Sequence, residues 1–108
     1  MGEYLLVESQ GTWVGPGCER FIDDAVVLAE SGHHVWLFLV EDGVTAATGA
    51  TVARLEELAG LGGRVWVDGF SLAQRSLMSH GAPPPMEMVE MKAVADKLLE
   101  PEVKAVWH

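Results

Sequence analysis

Apolar residues fall into short runs divided by polar and glycine-rich stretches, and the spacing inside each run predicts an element. Tyr4-Leu5-Leu6-Val7 is a compact apolar run leaving through Ser9-Gln10-Gly11, the length and exit of a buried strand. Phe21, Ile22, Ala25, Val26, Leu28 and Ala29 then recur at helical spacing, with Glu19, Asp23, Asp24 and Glu30 between them. Acidic residues in the early turns suit the helix dipole, and Ser31-Gly32 ends the helix as a C-cap does. Val35-Trp36-Leu37-Phe38-Leu39-Val40 is apolar at every position, the pattern of a strand covered on both faces. A second helix is predicted over Thr51 to Ala59, stopped by Gly60-Leu61-Gly62-Gly63. Arg64 to Asp68 reads as a third strand, Phe70 to Ser79 as a third helix and Met86 to Leu99 as a fourth. Pro101 bars continuation of that helix, and Val103 to Trp107 forms a closing strand. Gly81-Ala82-Pro83-Pro84-Pro85 is a stiff connector between elements.

Strands alternating with helices imply parallel pairing with right-handed crossovers. The expected fold is therefore a single α/β domain over residues 1–108, a small doubly wound parallel sheet of flavodoxin-like order, 2-1-3-4. In such a sheet the ligand site lies outside the carboxyl ends of the strands, where the winding direction reverses. That places Ser9 to Cys18 and Asp68 to Arg75 as the loops of interest.

Composition narrows the function classes. Apolar residues are 49% of the 108, enough for a core. The formal charge is −9, which opposes binding to nucleic acid or to an anionic membrane surface. The longest apolar run is too short for a membrane helix, and the Met-Gly-Glu-Tyr start lacks the features of a signal peptide, so a cytoplasmic protein is expected. One cysteine excludes an internal disulfide framework.

The helix ending in Ser31-Gly32-His33-His34-Val35, the strand Trp36 to Val40 and the following Glu41-Asp42-Gly43-Val44 resemble the DsrE/DsrF-like family of small α/β proteins. Gly63-Arg64-Val65-Trp66-Val67-Asp68 with Ser71, Arg75 and Ser76-Leu77 extends the resemblance to nearly the whole chain. It implies a trimer or hexamer and a place in a sulfur relay, where a cysteine just after the third strand passes a persulfide between proteins. The matching position here is Asp68, and a carboxylate is no sulfur nucleophile. The resemblance therefore implies a homo-oligomeric binding or accessory subunit, with a protein partner, that lacks the usual acceptor. The alternative is a sulfurtransferase or persulfide carrier using Cys18.

Cys18 lies near the start of the first helix, where backbone N–H groups favour thiolate, but Glu19, Asp23 and Asp24 oppose it. The bland reading is a small packed hydrophobe. Asp68, Ser71 and Arg75, with Ser9, Gln10, Thr12 and Trp13 of the first loop, make up a candidate polar ligand pocket; Asp68 equally suits a helix cap. The first loop is glycine-rich but matches neither a Walker motif nor GxGxxG, which leaves nucleotide binding as the weakest alternative, and no cofactor is expected. His33 and His34 are adjacent, His80 and His108 isolated, and no metal-site spacing is present. Met86, Met88 and Met91 predict either core filling or a subunit interface.

Overall fold

The computed structural model describes residues 2–78 and 82–108. Five strands alternate with four helices: β1 Glu3–Glu8, α1 Gly17–Glu30, β2 His34–Leu39, α2 Val52–Gly60, β3 Arg64–Asp68, α3 Gly69–Gln74, β4 Glu87–Val89, α4 Met91–Leu98 and β5 Val103–Trp107. Short 3-10 segments cover Thr12–Val14, Glu41–Ala47 and Gly49–Thr51. All strand pairs are parallel, and the sheet runs β4-β3-β2-β1-β5. The doubly wound parallel α/β class is as the sequence predicts.

The apolar runs become two cores because alternate residues of a strand face opposite ways. Leu6, Val35, Leu37, Leu39, Val65 and Val67 point to a front face covered by α1 and α2, where they meet Ile22, Ala25, Val26, Leu55 and Leu58. Leu5, Val7, Phe38, Val40 and Trp66 point to the back, where Val94 of α4 packs on them. The ladder aligns Trp66, Phe38, Val7 and Trp107 in one row across that face. β4 and β5 lie at opposite edges, so the α4 connection must cross the whole sheet, about 19 Å at four inter-strand steps. Eight helical residues reach only about 12 Å. The centre is therefore covered and the margins are not: Trp107 stays 65% exposed. On Trp36 the Lys97 ammonium lies 3.7 Å from the ring centroid.

Three details differ from the sequence reading. First, β5 and not β3 flanks β1 on the side away from β2, β3 lies beyond β2, and an extra strand, β4, extends the sheet. β2, buried at four of its six positions, takes an interior place where an order of 2-1-3-4 would leave it at an edge, and β5, with Lys104 and mostly exposed residues, takes the edge beside β1. The winding thus reverses at β1, between β2 and β5. Second, Met86 to Val89 is not helical. Met86 is core, and Glu87–Val89 pairs with β3, where Glu87 meets Arg64 across the strands through Nε at 2.9 Å and Nη2 at 2.7 Å. Alternation of period two over so short a segment was masked by three methionines that fit a helix equally well. Third, α3 stops at Gln74. Ser76 has φ 56°, a left-handed backbone that a helix cannot continue through. Ser79, His80 and Gly81 lie outside the described residues, so the predicted end of that helix, the isolated His80 and the first residue of the proline connector lie there too.

Candidate functional site

In a parallel sheet every strand delivers its last residue to the same rim, so the turns after Glu8 and Asp68 emerge on one side of the sheet. β2 stands between them, and each builds its own cluster.

The first cluster gathers at the end of β1, where the winding reverses. Glu8 shares the face of Leu6, and its side chain is wholly buried. His108 Nδ1 sits 2.9 and 2.7 Å from its two carboxylate oxygens. The imidazole stacks on Phe21 at 5.1 Å between centroids, and Gly17 leaves room for it, since a Cβ there would lie 3.0 Å from the ring. The backbone continues the β1–β5 ladder: His108 N donates to Val7 O at 2.7 Å, and Ser9 N and Oγ donate to His108 O at 3.0 and 2.8 Å. Gly43 is required on the other flank, because a Cβ there would collide with the Glu8 carbonyl.

Cys18 belongs to this cluster. It is 1% exposed, and its thiol is pushed up to about 12, first by burial and then by the charge and hydrogen bond of Glu8. The helix start does not make it a thiolate, because the buried carboxylate and loss of water outweigh the helix dipole. Gln10 N approaches Glu8 Oε2 at 3.4 Å, and the Gln10 side chain is exposed. Thr12 is half-buried; Trp13 is exposed and its ring lies over Gly11.

The second cluster gathers at the end of β3. Asp68 is 5% exposed and caps α3: its Oδ2 accepts from Ser71 N at 3.0 Å and from Ser71 Oγ at 2.6 Å. Ser71 Oγ in turn accepts from Glu41 N at 2.8 Å, which fastens the β2 exit to α3. Arg75 spends its guanidinium on Asp42, with Nε and Nη2 each 2.9 Å from Oδ1, and on Ser71 O at 3.3 Å. Asp68, Ser71 and Arg75 are thus brought together, with Arg75 turned to Asp42 and not to Asp68. Ser9, Gln10, Thr12 and Trp13 make no hydrogen bond to them among the described residues. Beside Asp68 a cavity of about 610 Å³ opens between the start of α3 and the β4–α4 connection.

Sequence reasoning missed Glu8 and His108. A charged residue ending a buried apolar strand was a signal for Glu8. His108 gave none, because its partner is 100 positions away. Among the described residues no three of His, Cys, Asp and Glu come together in a way that could hold a metal ion, and no helix is long and apolar enough to cross a membrane.

No protein-family model and no curated protein sequence matches the chain. Solved structures do. The ychN protein from E. coli superposes with a TM-score of 0.82 at 16% identity, covering all of both chains. MTH1491 from Methanobacterium thermoautotrophicum, described as a protein of unknown function, superposes with a TM-score of 0.79 at 11% identity, covering 98% of this chain and 99% of its own. At these identities what is shared is the small α/β fold over its whole length.

Proposed function

We propose that the chain is a DsrE/DsrF-like binding or accessory subunit of the cytoplasm. It assembles with copies of itself as a trimer or hexamer and holds a partner of a sulfur relay, or a small ligand, at the carboxyl rim of its sheet without carrying sulfur. One observation carries this reading. The position at which such carriers bear their cysteine holds Asp68, whose carboxylate is engaged with Ser71, while the single thiol in the sequence is sealed in the core and kept protonated. Self-association is supported by apolar surface that one domain leaves uncovered, with Leu99, Phe70, Trp13 and Trp107 the most open of it. Sulfur carriage on Cys18 draws no support from a thiol in that setting.

The test is exposure of the folded protein to inorganic polysulfide, followed by intact-mass spectrometry and light scattering. The expected result is an unmodified Cys18, in a particle several times the 11.7 kDa of one chain. A persulfide formed on Cys18 at near-stoichiometric yield, or a monomer in solution, overturns the reading.

A further inference from the structure

The cavity beside Asp68 has a composition that selects among ligands. Its walls are Phe70, Met78, Met88 and Met91, all exposed, with Glu90 at the rim and Asp68 the most buried residue lining it. Asp68 Oδ2 takes both hydrogen bonds from Ser71, and Oδ1 has no partner among the described residues. The Asp68 carboxylate thus lines a mostly apolar space with bonding capacity to spare, and among the described lining residues there is no lysine or arginine to neutralise it. A neutral apolar ligand would strip water from that carboxylate and return nothing, which is costly. An anion would meet two carboxylates. The start of α4 adds about half a positive charge at Met91, less than the two negative charges beside it.

We propose that this cavity binds a primary alkylammonium group on an apolar chain, its N–H donors meeting Asp68 Oδ1 and its hydrocarbon lying against the methionines and Phe70. Thioether side chains are flexible and polarisable, so the walls fit a class of chains and not one outline. The chemistry is shared by a free amine and by a lysine side chain of a partner. The inference rests on the accessory-subunit reading in that both use the carboxyl rim of β3.

The test is a titration of the full chain, carrying 13C-methyl methionine, with octylammonium below its micelle concentration, and in parallel with 1-octanol and octanoate. The methyl signals of Met88 and Met91 shift and saturate with octylammonium, at a concentration about tenfold lower than octanol requires, and octanoate moves them least. Asp68→Asn keeps an acceptor for the cap and removes the charge, so it brings octylammonium down to the level of octanol. Equal binding of octylammonium and octanol by the unaltered protein overturns the proposal, whether or not the variant folds. Nα-acetyl-lysine methylamide separates the sources: shifts of the same methyl signals assign a lysine side chain, and silence with octylammonium bound assigns a free amine. A persulfide on Cys18 would sink the accessory-subunit reading and leave these titrations unaffected.

Discussion

Glu8 and Asp68 are both carboxylates at the last position of a parallel strand, on one rim of one sheet, and both are withdrawn from water. Their surroundings differ in kind. Both oxygens of Glu8 are spent on His108, with Cys18 against it and the β1–β5 ladder closing over the group. Asp68 spends one oxygen on the start of α3 and leaves the other beside a cavity. A buried charge whose bonding capacity is filled fixes structure, and one with capacity in reserve is available to a ligand. The contrast places Glu8 in the architecture of the switch point and is the ground on which we propose Asp68 for recognition, although in wound sheets the switch point is the usual place for the ligand.

The contrast is broken most directly at Glu8. Glu8→Ala strands His108 and leaves a void among core residues, and urea denaturation should show a loss of about 3 kcal/mol or more. A loss under 1 kcal/mol would mean that the cluster is not structural. A second effect, confined to high pH, comes from Cys18. Its thiol holds its proton to about 12 in the folded chain, against an ordinary value of 9.0, so unfolding above pH 9 releases a proton. The stabilisation is complete below pH 9 and fades as pH rises towards 12, so the stability gap between the wild type and Cys18→Ala should narrow across that window. A gap independent of pH would show that the thiol titrates normally. The smallest effect belongs to the recognition side. Asp68→Ala removes a cap and should cost about 1 kcal/mol, whereas Asp68→Asn should stay within about 0.5 kcal/mol of wild type by thermal denaturation. Equal losses in the two variants would mean that the charge itself holds α3 in place, and that Asp68 is as architectural as Glu8.

Local pattern made most of the fold legible. β1, β2, β3 and β5 follow from apolar runs, and α1 and α2 from helical spacing, because burial of one stripe or two faces leaves a period in the chain. β4 was illegible because three residues with a methionine at the centre carry no period of their own, and the strand they pair with lies some twenty positions earlier, as the Arg64–Glu87 contact 23 positions apart shows. Strand order was illegible for the same reason: nothing local says which neighbour β1 takes. At the rim, Asp68 was recognisable as a cap from its place between strand and helix. The cavity was not, since Phe70, Met78 and Met91 meet only once β4 is in the sheet. Arg75 read as a member of the ligand pocket, but Asp42, 33 residues earlier, takes its guanidinium.

The position of β5 has a consequence for synthesis. β1 is made before the other four strands, and the sheet builds outward from one of its sides, through β2, β3 and β4, in the order of translation. Its other side stays unpaired until Val103 and the residues after it have emerged, after β2, β3 and β4 have all been made. Through that interval the nascent protein displays an apolar, hydrogen-bond-hungry border, and it is at this border that a stalled chain would recruit its neighbours.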